Sequence, residues 1–192
     1  VIKAHGLAAF WTDTEIWRCT QGNDALAHAF HREIGPDRFA LGTPATRLIE
    51  RSDGVELTAG GTTHKADFAV LAVPPTLWDR IGIEPALPIA KPQMGVNTKF
   101  LARLKAPVWD DRNPEVLSTG IVSEIWHATD KQPAGGDIGM VGFAGGTAAA
   151  EGLKAYAASG DRSFVAEFER VFPEFRGKYV EHRYMDWPNQ EW

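Results

Sequence analysis

The segment ATRLIERSDGVELTAGGTTHKADFAVLAVPP, residues 45–75, constrains the fold more than any other part of the chain. Asp53-Gly54 and Gly60-Gly61 separate short β-like runs and are two-residue hairpin signals, since tight hairpin turns need backbones that tolerate positive φ. The run from Phe68 to Val73 is apolar throughout, which predicts a strand covered on both faces. Pro74-Pro75 ends that strand, and TLWDRI reads as a helical turn. A strand meander closed by a buried strand is therefore expected here.

Helical periodicity brackets the meander. In GNDALAHAFHREIGP, Gly22 or Asn23 can cap and Asp24 suits the positive end of the helix dipole. Leu26, Ala29, Phe30 and Ile34 repeat at helical spacing and Gly35-Pro36 ends the run, so a helix from Asp24 to about Ile34 with a buried apolar stripe is expected. Later, STGIVSEIWHA and DIGMVGFAGG read as strands on either side of a DKQPAGGD turn, after an irregular VWDDRNPEV stretch. TAAAEGLKAYAAS is a helix with Gly160 as its C′ glycine. DRSFVAEFERVFP is a second, with Asp161 as cap and Phe164, Phe168, Val171 and Phe172 on one face. KYVEHRYMDW reads as a final strand, which makes the class α/β (α+β).

Between these lies VNTKFLARLK. Val96, Thr98, Phe100, Ala102 and Leu104 alternate onto one face; Asn97, Lys99, Arg103 and Lys105 fall on the other, with Leu101 the exception. On pattern alone Lys99 is a solvated strand lysine.

Composition bounds the function classes. The 192 residues are 44 % hydrophobic and 23 % charged, ordinary for a folded protein with one domain or two small lobes. A net charge of −5 argues against a nucleic-acid partner, and no apolar run approaches the roughly 20 residues of a membrane helix. Cys19 stands alone, which leaves no internal disulfide or multi-cysteine zinc site and fits a reducing, cytoplasmic compartment. The start at Val1 and the two tryptophans among the last six residues lead to the expectation of a piece of a longer protein.

Hydrolase signatures are absent: there is no G-x-S-x-G and no H-E-x-x-H. His28 and His31 lie three apart on the first helix without an acidic or cysteine partner at a matching spacing, so a solvated face outweighs a metal site. DIGMVGFAGGTAAAEGLK has the strand, glycine-rich turn and helix that can seat a pyrophosphate. Its glycines do not fit G-x-G-x-x-G, and no acidic residue ends a second strand, so close packing is the better reading. The seven Trp and ten Phe, among them Trp126 and Phe143, suit either a core or the walls of a flat ligand site.

Read in order, several segments resemble the flavin-containing amine oxidases, the family of monoamine, polyamine and L-amino acid oxidases. WRCTQGNDALAHAFHREIG is similar to the family's glycine-Asn and helix segment. The stretch from TPATRLIE through EPALP resembles its meander, return strand and Pro-Pro sequel. MGVNTKFLARLKAPVW resembles the strand with the flavin-proximal lysine, and EHRYMDWPNQEW the Trp-containing stretch before the C-terminal flavin motif.

The resemblance implies an interleaved two-lobe architecture. Residues 1–19 would end a substrate-lobe segment and 20–88 would belong to the FAD lobe. Residues 89–184 would belong to the substrate lobe, and 185–192 would return toward the FAD lobe. It implies that Ala45 sits where backbone groups hold the adenine end of FAD, and that Lys99 addresses flavin N5 through a water. Trp187 would lie beside the isoalloxazine, and Trp126 and Phe143 in the substrate pocket. No metal is implied. The N-terminal G-x-G-x-x-G and the C-terminal flavin segment of the family are missing from this sequence, so FAD is expected of the complete enzyme rather than of this chain alone.

The implied reaction takes a hydride equivalent from the carbon bearing the amine of a small amine or L-amino acid. The imine then hydrolyses and O₂ is reduced to H₂O₂. The implied partners are that substrate, O₂, the remaining segments of the same enzyme, in one chain or as separate ones, and a second copy in a homodimer. An amino-acid substrate would need an arginine, and the sequence does not choose among Arg18, Arg47, Arg103 and Arg183. Two alternatives stay open: a flavoprotein of the protoporphyrinogen-oxidase or desaturase type, and a truncated non-catalytic homologue acting as an interaction module.

Overall fold

The computed structural model describes residues 17, 19–90, 92–110, 115–130 and 136–189, and the chain divides into two units, Val1–Asp67 and Phe68–Trp192. Most of the expected N-terminal segment (residues 1–19), the middle of the DKQPAGGD turn and Trp192 lie outside the described residues.

In the first unit, helix α1 (Asp24–Ile34) has the expected bounds, with Asp24 in its first turn and Gly35 closing it at φ 101°. Its apolar stripe is not buried as expected. Leu26 and Phe30 are 61 % and 57 % exposed, because no described element of this unit lies along them. A helix face leaves water only where a second surface meets it.

The meander follows as strands β1 (Ala45–Arg51), β2 (Gly54–Ala59) and β3 (Thr62–Ala66), paired antiparallel in sequence order. Gly60 and Gly61, at φ 55° and 78°, form the expected hairpin turn. The first turn is displaced by one residue. Its two-residue loop is Ser52-Asp53, and Gly54 already pairs with Arg51. Gly54 is required for a different reason: its φ is 147°, and a Cβ there would lie 2.5 Å from the Ala66 carbonyl oxygen.

The second unit opens with a correction. Phe68–Val73 forms no strand, and Phe68 and Val70 are 88 % and 89 % exposed. An apolar strand needs ladder partners and a covering layer on each face, and the described residues of this unit supply neither. The expected helical turn is the 3₁₀ segment Pro75–Arg80, which buries Leu77. The short strand β4 (Gly82–Glu84) comes next.

The body of this unit is an antiparallel sheet with strand order β6-β7-β8-β5-β9. Its strands are β5 (Asn97–Leu104), β6 (Glu115–Leu117), β7 (Glu124–His127), β8 (Ile138–Gly145) and β9 (Tyr179–Asp186). Strand β5 alternates as its sequence predicts, with Thr98, Phe100, Ala102 and Leu104 buried and the residues between them half-buried. Helices α2 (Gly146–Ser159), α3 (Arg162–Val171) and α4 (Phe175–Lys178) supply the buried partners of that face. Phe100 stacks on Phe164 (centroids 4.9 Å apart, planes at 4°) and on His182 (4.9 Å, 10°), and Phe168 stacks on Phe175 at 4.6 Å. Offset aromatic pairs of this kind add to the area each ring removes from water.

The glycine-rich run belongs to this packing. A Cβ on Gly142 would approach the Phe168 ring to 2.8 Å, and one on Gly152 would approach Phe164 to 3.3 Å. Small residues here let α2 and α3 close on the sheet. Gly142→Ala is therefore expected to cost about 1–3 kcal/mol through overpacking, read as a lower urea midpoint.

Gly160, at φ 62°, ends α2 as expected. Asp161 stands at the N-terminus of α3 but makes no side-chain cap. Its carboxylate instead accepts a 2.7 Å hydrogen bond from the Tyr179 hydroxyl, whose oxygen also lies 2.8 Å from His182 Nδ1. His182 Nε2 is 2.9 Å from the Tyr156 hydroxyl. This chain of bonds ties β9 to α2 and to the start of α3.

Burial first, then the bond to Asp161, raises the Tyr179 phenol above its ordinary range, and burial raises Tyr184 in the same direction. A raised folded-state pKa gives stability that is complete below the unfolded value of about 10 and is lost as pH rises past it. Stability should therefore fall above about pH 10, and Tyr179→Phe should lessen that fall, as followed by urea melts across the alkaline range.

Candidate active site

The sheet face turned away from the helices carries the chemistry. Cross-strand partners share a face, so the register Lys99↔Phe143↔Glu124 places these three residues in one row across β5, β8 and β7. Met185 of β9 stands opposite Lys99 on its other side. Trp126, two residues beyond Glu124, shares the face, and its ring centroid is 6.3 Å from that of Phe143. The Lys99 Nζ lies 5.6 Å from the Trp126 centroid and 6.0 Å from the Phe143 centroid, inside cation–π range.

Lys99, Trp126, Phe143 and Glu124 are all half-buried, so this face is neither core nor freely solvated. Three of the expected site residues, Lys99, Trp126 and Phe143, therefore come together. Strand pairing decides this, because the three are up to 44 positions apart in the chain.

Trp187 directly follows β9, in a 3₁₀ turn, Trp187–Asn189. Asp186 fixes that turn by accepting from the Asn189 backbone N–H at 3.3 Å and from its side-chain amide at 2.7 Å. Trp187 is 52 % exposed, a large area of indole left in water by the described residues. Ala45 belongs to the first unit. It is half-buried at the start of β1, where the register with β2 shifts between Ala45 and Arg47. A bulge of this kind re-aims backbone groups at the end of a strand.

Arg103 shares the Lys99 face but is committed, donating to Glu181 at 2.9 Å and Asp137 at 3.1 Å. Glu181 first and then Asp137 raise its pKa, so the guanidinium stays charged and held. Arg183, opposite Leu101, is exposed on the β9 edge. Arg18 lies outside the described residues, and Arg47 belongs to the first unit. Among the described residues no group of three or more metal-ligating side chains gathers, His28 and His31 included. No helix among them is long and apolar enough to cross a membrane.

Sequence reasoning overlooked Glu124 and Met185. The signal was present in SEIWHA and HRYMDW, where Glu124 alternates with Trp126 and Met185 with Arg183, but pairing register was needed to align them with Lys99.

Chemically, the face offers flat apolar walls for a small molecule and an amine that can donate hydrogen bonds or stabilise negative charge, with Glu124 two strands away between Phe143 and Leu117.

Residues 5–192 match the family model of flavin containing amine oxidoreductases. An L-amino acid dehydrogenase of Synechocystis sp. is 23 % identical over 190 residues, covering 90 % of this chain and 40 % of its own length. A putrescine oxidase of Kocuria rosea is 28 % identical over 145 residues, covering 65 % of this chain and 30 % of that protein. Among solved structures, cyclohexylamine oxidase from Brevibacterium oxydans superposes with a TM-score of 0.76 at 25 % identity, over 89 % of this chain and 40 % of that one. The chain thus spans well under half the length of these relatives.

Proposed function

This chain belongs to the flavin-containing amine oxidoreductase family, and on that premise we propose that it forms part of an FAD-dependent enzyme oxidising a small amine or L-amino acid to an imine. The observation that carries the reading is the Lys99 amine beside the rings of Trp126 and Phe143 on the face that the helices leave uncovered. Those residues suit a flat ring system: aromatic and apolar side chains border the row, and the amine is a donor without a carboxylate directly across either neighbouring strand. Trp187, exposed just after β9, is a further aromatic surface for such a ring. When bound, the flavin supplies the two-electron acceptor that no side chain provides.

The residues of this chain do the rest of the work in this proposal. Trp126 and Phe143 hold the substrate's carbon skeleton and exclude bulk water from the reacting carbon. Lys99 is the catalytic residue: it holds a water at the reacting edge and offers positive charge where reduced oxygen gathers negative charge. Ala45 lends backbone groups to the adenine end of the cofactor. The two-lobe division, with residues 20–88 on the FAD side and 89–184 on the substrate side, follows the same reading.

The test uses the complete protein that contains this chain. Anaerobic addition of small amines and L-amino acids should bleach the flavin absorbance band, and air should restore it with stoichiometric H₂O₂. Bleaching without peroxide on aeration would assign the electrons to another acceptor. No bleaching with any amine would overturn the proposal.

A further inference from the structure

We propose that Asp161 sets the direction of the whole hydrogen-bond chain behind strand β9, so that the neutral His182 ring carries its proton on Nδ1 and the chain acts as a latch that holds Met185 beside Lys99. The latch stands apart from the amine-oxidising reading and is tested without it.

The protons available order the chain. A carboxylate has lone pairs and no proton to give, so the Tyr179 hydroxyl directs its single proton at Asp161 Oδ2, 2.7 Å away. That separation is short for a hydroxyl donor, as a charged acceptor makes it. The Tyr179 oxygen also lies 2.8 Å from His182 Nδ1 and has only lone pairs left to offer there. Nδ1 is therefore the donor. A neutral imidazole with its proton on Nδ1 leaves Nε2 as an acceptor, and the Tyr156 hydroxyl, 2.9 Å from it, donates to it. The three bonds run one way, from Tyr156 through His182 and Tyr179 to Asp161.

Packing keeps the ring in this orientation. Turning the imidazole over would put carbons against both hydroxyls, and its face is held on Phe100 at 4.9 Å with the planes 10° apart. Tyr156 in turn stacks on Tyr184, with centroids 3.9 Å apart. The chain so joins β9 to α2 and to the residue before α3. β9 ends the strand order of the sheet, and β5 is the neighbour that supplies its ladder bonds. An edge strand with one ladder depends on its side chains for the rest of its hold. His182 and Tyr184 alternate with Arg183 and Met185, so the latch grips one side of β9 while the other side presents Met185 opposite Lys99.

The test is nitrogen NMR of the histidine rings in the 192-residue chain at about pH 9, above the ordinary histidine range. His182 is assigned through its own backbone amide. In wild type its ring nitrogens should show the Nδ1–H form. In Asp161→Ala the Tyr179 proton is released to Nδ1, and the Nε2–H form should become the larger population. Asp161→Glu, which keeps the carboxylate, should restore the Nδ1–H form. A hydrogen bond that merely braced the fold would leave the tautomer of a ring two bonds away unchanged. An Nε2–H or doubly protonated ring in wild type overturns the inference, a result that needs no variant to fold. So does a ring in Asp161→Ala that stays in the Nδ1–H form. Amide exchange reads the latch itself. In Asp161→Ala and Tyr179→Phe the β9 amides paired to β5 should exchange at least about tenfold faster relative to those of β7. A relative change within about twofold overturns the latch.

Discussion

Lys99→Met in the complete flavin-loaded protein is expected to slow flavin reoxidation by O₂ by about 100-fold while the protein stays folded. Methionine keeps the length and the apolar stem of lysine and removes only the ammonium. Lys99 is half-buried on the face away from the helices and is not part of the aromatic core, so its replacement opens no cavity. What disappears is one positive charge beside the rings of Trp126 and Phe143. Loss of a single preorganised charge of this kind costs about 10²–10³ in rate where negative charge develops in the transition state. Rapid mixing separates the two half-reactions. Unchanged reduction and reoxidation rates would leave Lys99 with no part in the chemistry.

Phe100→Ala, one residue along the same strand, should act on the fold instead. Phe100 is fully buried between Phe164 and His182, with Phe168 5.8 Å away, so the helices have little freedom to close on the space a benzyl group leaves. Deleting a buried phenylalanine costs about 3–5 kcal/mol, a large share of the stability of a domain this size. The measurement is the urea midpoint followed by far-UV circular dichroism. A loss below about 1 kcal/mol would mean that the helices do not pack on this face as described. Adjacent residues of one strand thus give opposite phenotypes because their side chains point to opposite faces.

Much of the architecture was legible in the sequence. The bounds of α1, the meander, the Gly60-Gly61 turn and the alternation of VNTKFLARLK depend on neighbours within a few residues, and local periodicity and turn chemistry encode such relations directly. The misjudged features share a different dependence. The stripe of α1 and the apolar run Phe68–Val73 are written as buried elements, but burial requires a second surface that local pattern does not specify. Asp161 has the composition of a cap, yet its carboxylate is drawn to Tyr179, 18 residues away.

The site divides along the same line. By itself the sequence determined that Lys99 lies on the polar side of an alternating strand, because side chains alternate with period two whatever surrounds them. Only the tertiary structure decided what shares that side. Antiparallel register brings Phe143, Glu124, Trp126 and Met185 alongside Lys99, and a shift of one residue in any pairing would have turned that strand's contribution into the core.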